Sequence, residues 1–482
     1  MTSANYDVIV IGAGAVGENV AERAALGGMR TVIVEAELVG GACSYWACMP
    51  SKALLRSGSL LRAARKVGGV REAATGTLDV ASVLKRRNWV TSDWKDDGQV
   101  EWLAGAGIDL VRGHATITAA REVTVTAADG TVTVLTAQHA VAVCTGSASL
   151  LPDIPGLLES SPWTSNDATS VTDVPASLAI IGGGVVALEM ATAYAGFGTV
   201  VDLVARGGLI TRQEPFAGEL VASSLEELGV RLHVGASPVR VRRDAEGTVA
   251  VTLDDGATVT ADQVLVATGR VPRTGDLGLE NIGLAPGEWL NVDDTMLVHH
   301  PDGTVVDGGW LYAAGDVNHR ALLTHQGKYQ ARIAGDAIAA RAAGRTLPTE
   351  PWSTYVASAD HQAVPQVAFT DPEVASVGLT AAAAEKAGYR TRVVDYSIAN
   401  TSGATINADD YVGQARMVVD EDRQVLLGVT FVGADVGELL HSATIAVVGE
   451  VPLSRLWHAV PSYPTLSEVW LRLLETYGRP TE

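Results

Sequence analysis

One strand-turn-helix signature occurs twice in this chain and restricts its fold more than any other feature. Tyr6 to Ile11 is a nearly continuous apolar run, as a strand buried on both faces requires. Gly12-Ala13-Gly14-Ala15-Val16-Gly17 follows, then a helical segment to about Leu26 and a second apolar run from Arg30 to Val34 that ends at Glu35. In such a turn the first glycine permits the sharp bend and the second lets backbone approach a pyrophosphate. The third lets helix and strand pack closely, and an acid after the second strand holds a ribose hydroxyl. Gly12, Gly14, Gly17 and Glu35 therefore predict a dinucleotide site.

The second copy differs in one chemically informative way. Leu178 to Ile181 is again apolar and runs into Gly182-Gly183-Gly184-Val185-Val186-Ala187, where Ala187 is small enough to stand for the third glycine. The next apolar run, about Val200 to Val204, ends at Ala205, which has the same spacing from Gly182 as Glu35 has from Gly12. The acid is lost, Arg206 follows, and Arg212 lies a little further on. Without the carboxylate a 2′-phosphate meets no repulsion, and two guanidinium groups can bind it. Gly182, Gly184, Ala187, Arg206 and Arg212 thus predict an NADPH site. The alternative, that the two arginines are ordinary surface charges, stays open at this point.

Gly40-Gly41-Ala42-Cys43-Ser44-Tyr45-Trp46-Ala47-Cys48-Met49-Pro50-Ser51-Lys52 carries two of only three cysteines in 482 residues. A chain so poor in cysteine has no disulfide framework to build. Two ligands do not make a structural zinc site and no second pair exists, so no metal site is expected. A thiol/disulfide couple beside a redox cofactor is the better reading. The third cysteine, Cys144, reads as a small buried residue.

The formal net charge of −20 argues against nucleic acid and anionic membrane surfaces as partners. Leu178 to Phe197, the longest apolar stretch, is interrupted by three consecutive glycines and Glu189, so it does not read as a membrane span. The N-terminus has no basic and apolar leader and enters a strand almost at once. A cytoplasmic chain is expected.

Together these motifs make the chain resemble the FAD-dependent pyridine nucleotide–disulfide oxidoreductases, the group of glutathione reductase, dihydrolipoamide dehydrogenase and mercuric reductase. The cysteine segment through Pro50-Ser51-Lys52 is similar to that family's redox motif. Cys144-Thr145-Gly146 and Ala267-Thr268-Gly269-Arg270-Val271-Pro272 resemble its two ATG-type turns. Ala314-Gly315-Asp316 resembles its second flavin motif, and Val364 to Glu373 the opening of its dimerisation domain. The resemblance implies an α/β fold with two Rossmann-like dinucleotide-binding domains plus a C-terminal α+β dimerisation domain. Residues 1–150 and 273–350 would bind FAD, 151–272 the nicotinamide cofactor, and 351–482 would form a homodimer interface across which active sites are shared. It places Gly41, Ala42, Lys52, Ala115, Thr145, Gly146, Asp316, Leu323, Thr324 and His325 among the FAD contacts and Gly269 at the NADPH site. Cys48 takes the place of the thiol beside the flavin and Cys43 that of the interchange thiol. Lys52 and Glu189 match the pair near the flavin's reactive nitrogen. Tyr45 and Trp46 replace small residues there, and either pack or line the substrate face.

One departure bears on the substrate. Disulfide reductases of the family end in His-x-His-Pro-Thr-x-x-Glu, whose second histidine serves the thiol as acid and base. Here the segment reads Pro461-Ser462-Tyr463-Pro464-Thr465-Leu466-Ser467-Glu468. Tyr463 stands in the histidine's place, while Glu468 is kept. Imidazole titrates near about 6.5 and phenol near about 10, so tyrosine donates a hydrogen bond but is a poor base. His441 and His458 stand nearby in sequence as other acids. Mercuric reductases also carry tyrosine here, but their C-terminal cysteine pair is missing, since no cysteine follows Cys144. The expected function is an NADPH-dependent FAD oxidoreductase that passes electrons through a Cys43–Cys48 disulfide to a disulfide or other sulfur-containing small molecule. The alternatives are a mercuric-reductase-like metal-ion reductase, a quinone reductase, or a flavin redox sensor.

Overall fold

The strand β1 (Thr2–Ile11), the helix α1 (Ala15–Leu26) and the strand β2 (Thr31–Glu35) form the first predicted signature. The structure, a computed structural model, describes residues 2–479. β1 lies parallel to β2, with Val10 opposite Ile33, and parallel to Val132–Val143 on its other side. The sheet runs Asp109–Arg112, β2, β1, Val132–Val143, Glu122–Thr126, His114–Ala119, with Leu311–Ala313 also paired to Val132–Val143. Val8 and Val10 pack with Val20, Ala21 and Ala24 of α1, whereas Ile9 and Ile11 pack with Ile117, Val123 and Val125. Both faces of β1 are covered, which is why its sequence is continuously apolar. β1 begins at Thr2 rather than at Tyr6, because Thr2–Tyr6 pair with Thr133–Ala137 where the sheet has an exposed face and polar residues are tolerated.

The chain divides into two compact units. The first comprises Met1–Pro50, Asn88–Leu150 and Arg270–His361; the second comprises Ser51–Arg87, Leu151–Gly269 and Gln362–Glu482. Residues 51–87 belong with the second unit because Arg62 donates to Asp371 at 2.5 Å and the buried Arg87 donates to the Thr169 and Val171 carbonyls.

The second unit holds the other dinucleotide-type sheet, parallel throughout, in the order Arg231–Val234, Val200–Ala205, Ser177–Ile181, Gln263–Val266. Leu178 and Ile180 face one core, Ala179 and Ile181 the other. Its C-terminal part is a five-stranded antiparallel sheet built around Val425–Gly433, with the helices Leu440–Val448 and Glu468–Tyr477. The α/β architecture with an α+β C-terminal part is therefore as the sequence predicts. Among the described residues no helix is long and apolar enough to cross a membrane.

Candidate redox-active site

In the first unit, α1 starts at a glycine because the chain must turn where another segment leans on it. A Cβ on Gly12, whose φ is +97°, would stand 2.5 Å from the Cys144 carbonyl oxygen. The short helix α2 (Gly41–Tyr45) comes equally close: a Cβ on Gly41 would stand 2.6 Å from the Gly14 Cα. The backbone that carries Cys43 is thereby fixed against the N-terminus of α1. Cys48 opens the helix α3 (Cys48–Arg65).

Cys43 and Cys48 are thiols here, both half-buried, with their side chains hydrogen-bonded to each other. That hydrogen bond and burial push the Cys43 thiol up, while Thr324 and the positive charge of Lys328 pull it the other way. Thr324 Oγ1 lies 3.2 Å from Cys48 Sγ. Tyr45 is buried, and its hydroxyl donates to the Val39 carbonyl at 2.9 Å, so it packs rather than lines a substrate face. Trp46 is half-buried and meets Tyr45 edge to face at 5.6 Å. Cys144 is buried, as expected, and burial pushes its thiol up to about 12.

The first-turn amides of α1 receive no side-chain cap from Gly14, and Thr145 Oγ1 is buried without a hydrogen-bond partner. Phosphate and hydroxyl oxygens of a dinucleotide such as FAD would satisfy both. Glu35 ends β2 with one carboxylate oxygen accepting the Ala13 amide at 2.7 Å and the other the Glu37 amide at 2.8 Å. Asp316 accepts Ser147 Oγ at 2.5 Å, and Arg270 donates to the same Ser147 Oγ at 2.5 Å while lying 3.6 Å from Asp316. Leu323 precedes the helix Thr324–Ala342, on which His325 is exposed. Gly146 has φ +71°, and Ala115 is buried in the strand His114–Ala119.

In the second unit, Lys52 Nζ donates to both carboxylate oxygens of Glu189, which also accepts the Phe369 amide. Gly182 is pinned like Gly12, since a Cβ there would stand 2.3 Å from the Ala267 carbonyl oxygen; Gly269 closes that turn with a positive φ. The Val185–Phe197 helix starts at Gly184, uncapped and with open space beside it, and Ala187 is buried beneath. These open amides suit a second dinucleotide phosphate. Ala205 is buried, whereas Arg206 and Arg212 are exposed and pair with no carboxylate among the described residues.

The Pro461–Glu468 segment also lies in the second unit. Tyr463 is 76% exposed, and His441 and His458 are exposed too. Glu468 is buried and accepts the Gly403 amide at 3.0 Å. This carboxylate thus anchors the segment to the Ser402–Asn407 helix, a role the motif alone does not reveal. Sequence reasoning also missed Ser147 and Arg270 around Asp316, Lys328 among the groups that act on the Cys43 thiol, and Glu18, whose Oε1 is buried with no hydrogen-bond partner. Only Glu18 carried a signal: it is a charged residue in the first turn of a helix otherwise packed for close contact.

Residues 6–340 match the pyridine nucleotide-disulphide oxidoreductase family, and residues 364–473 match its dimerisation domain. A dihydrolipoyl dehydrogenase from Chlorobaculum tepidum is 33% identical over 483 residues, covering 97% of this chain and 96% of its own. A mercuric reductase from Streptomyces lividans is 31% identical over 483 residues, covering 98% and 96%. The HOCl-induced flavoprotein disulfide reductase RclA from Escherichia coli shares the fold, with a TM-score of 0.81 at 23% identity, covering 98% of this chain and 99% of that one. Matching folds, open helix termini and the paired thiols agree with this likeness. The chain belongs to the pyridine nucleotide-disulphide oxidoreductase family, whose members are FAD- and NAD(P)H-dependent flavoprotein oxidoreductases with a redox-active cysteine pair and a dimerisation domain.

Proposed function

We propose that this chain is an NADPH-dependent enzyme that passes electrons through a Cys43–Cys48 disulfide to a disulfide or other sulfur-containing small molecule. The observation that carries this reading is the pair of half-buried, unlinked cysteines Cys43 and Cys48, with Cys48 Sγ 3.2 Å from Thr324 Oγ1. Bound FAD supplies the two-electron link between NADPH and sulfur. Gly12, Gly14, Gly17, Glu35, Gly41, Ala42, Ala115, Thr145, Gly146, Asp316, Leu323, Thr324 and His325 would hold it, with residues 1–150 and 273–350 as its domain. Gly182, Gly184, Ala187, Arg206, Arg212 and Gly269 would hold NADPH within 151–272, with the exposed arginines on the 2′-phosphate.

An electron pair and two protons convert the Cys43–Cys48 disulfide to two thiols. The Cys43 thiolate then attacks one sulfur of the acceptor, and the first acceptor thiol leaves with a proton. Cys48 attacks the mixed disulfide, which re-forms the internal disulfide and releases the second thiol. Residues 351–482 would form the homodimer in a cytoplasmic protein, with the partner subunit's Tyr463 completing each site. Tyr463 would donate a hydrogen bond there without acting as a strong base.

A second reading, reduction of a soft metal ion, is favoured by the tyrosine in the histidine's place and by the likeness to mercuric reductases. The missing C-terminal cysteines count against it.

An anaerobic acceptor screen on the purified holoprotein tests both. NADPH oxidation with a disulfide acceptor, abolished in Cys43→Ser, supports the first reading. Turnover of thiol-bound Hg(II) with no disulfide activity selects the second. Oxidation unaffected by Cys43→Ser, as with a quinone, overturns both.

A further inference from the structure

Asp316 stands among the expected FAD contacts, and the loop that carries it is held by a buried chain of polar side chains, all in the first unit. The chain begins at Gly315, which has a φ of +81° and is pressed against α1: a Cβ there would stand 3.0 Å from Val16. The Gly315 amide donates to Gln330 Oε1 at 2.8 Å. Asn318 Nδ2 donates to the same oxygen at 2.9 Å, while Asn318 Oδ1 accepts the Arg320 amide at 3.1 Å. On its other side Gln330 Nε2 donates to Asp360 Oδ2 at 2.9 Å. Gln326, one turn earlier on the helix Thr324–Ala342, donates to Asp360 Oδ1 at 2.6 Å. Gln330 is fully buried, and the Asp360 side chain is 1% exposed.

The polarity of this chain is fixed at both ends. A backbone amide can only donate, and an ionised carboxylate can only accept. Gln330 is therefore held one way round, oxygen towards Gly315 and nitrogen towards Asp360. Turning it over would leave a buried donor facing a donor and a carboxylate facing an oxygen. Burial pushes the Asp360 carboxyl up, and Gln326, Arg320 and Gln330 pull it back. Arg320, beyond the same loop, lies 3.5 Å from Asp360 and donates to Asp294 at 2.7 Å and to the Val292 carbonyl at 2.9 Å. Both ends of the loop around Asp316 are thus tied to one carboxylate.

We propose that Asp360 and Gln330 are positioning residues of the flavin site: the carboxylate orients the glutamine amide, and that amide holds the peptide that leads into Asp316. This rests on Asp316 being a contact of bound FAD. The charge is needed only to orient the amide, so its place in the chain can be exchanged. In the double exchange Gln330→Glu with Asp360→Asn, the new carboxylate accepts the Gly315 and Asn318 donors with one oxygen and the new side-chain amide with the other. The oxygen of that new amide accepts Gln326. Every donor again meets an acceptor, with the charge moved one residue along.

The test compares holoproteins by the rate of flavin release on dilution, followed as fluorescence, and by the visible circular dichroism of the flavin still bound, without NADPH or acceptor. Asp360→Asn is expected to speed release about tenfold, the equivalent of one charge-assisted hydrogen bond, and to alter the dichroism. Gln330→Glu alone sets two carboxylates side by side and should release flavin faster still. The double exchange should return both readouts most of the way to wild type. A double variant no better than Gln330→Glu overturns the proposal, and so does Asp360→Asn with the release and dichroism of wild type. Lower melting temperatures with unaltered dichroism would mean a merely structural role, and overturn it too. Where Gln330→Glu does not fold, the double variant is set against Asp360→Asn and must lie closer to wild type. Rescue in a protein that reduces no acceptor would leave this inference standing while the proposed function fails; no rescue in an active disulfide reductase would do the reverse.

Discussion

Lys52 grips Glu189 with both carboxylate oxygens in reach, at 3.0 Å and 2.7 Å, and the same carboxylate accepts the Phe369 amide at 3.0 Å. Glu189 is 3% exposed, and the Lys52 ammonium lies 4.8 Å from the centre of the Phe369 ring. A buried carboxylate needs such company, because an unpaired ion in the interior is strongly disfavoured. Lys52→Met should therefore lower stability by about 2–3 kcal/mol, towards the lower end because Lys52 is partly exposed. Glu189→Gln, which leaves no buried charge, should lower it less. Thermal denaturation of the two variants checks the order; equal melting of Lys52→Met and wild type would remove the argument.

The exposed Arg206 and Arg212 should show themselves in cofactor choice. Reduction of the bound flavin by NADPH is expected to outpace NADH by at least about tenfold, which two charge-assisted phosphate contacts justify. Replacing both arginines with alanine should narrow that preference and leave the NADH rate nearly unchanged. Equal stopped-flow rates with the two cofactors in wild type would contradict the assignment.

Tyr463 and Val460 are 76% and 84% exposed in the single chain, an unusual place for large apolar side chains. Burial by a second copy would explain both. The purified protein should scatter light as a dimer. Mixing Cys43→Ser with Tyr463→Ala, under conditions where subunits exchange, should give more activity than the two separately. A fully active monomer would exclude shared sites.

Tyr463→His should raise turnover of a small disulfide, since imidazole adds a base worth roughly 10²-fold or more where proton transfer limits the rate. Reduction of the bound flavin by NADPH should change little. A parallel loss in that half-reaction would show that the substitution disturbs assembly rather than proton transfer.

Glu18 gives a stability effect whose sign is fixed. Its carboxyl lies at about 7 in the folded protein, above the ordinary 4.5, mainly through burial. An acid raised on folding contributes stability that is full below its unfolded value and is lost as pH rises through the folded one. Glu18→Gln stays neutral throughout. It should match wild type near about pH 4.5 and exceed it above about pH 7, by roughly 1–3 kcal/mol. Chemical denaturation at the two pH values measures this, and a constant difference would refute it.

Backbone demands were legible in the sequence because single residues carry them. Gly12, Gly41 and Gly182 stand where a Cβ would meet another strand or turn, and no other residue type satisfies that contact. The alternation of cores across Val8, Ile9, Val10 and Ile11 was written in their unbroken apolarity. The cysteine spacing likewise announced a thiol pair before any fold was known.

Tertiary structure decided the partners. Thr324 meets Cys48 across 276 positions, Glu468 turns to the Gly403 amide, and Ser147 and Arg270 gather on Asp316. It also settled that Tyr45 packs, with its hydroxyl on the Val39 carbonyl. Such contacts join residues whose separation follows no helical or strand period, so no local pattern encodes them. The same holds for the Cys43 thiol, on which Thr324 and Lys328 act from a helix far along the chain, and electrostatic strength depends on distance and burial, which the order of residues does not state.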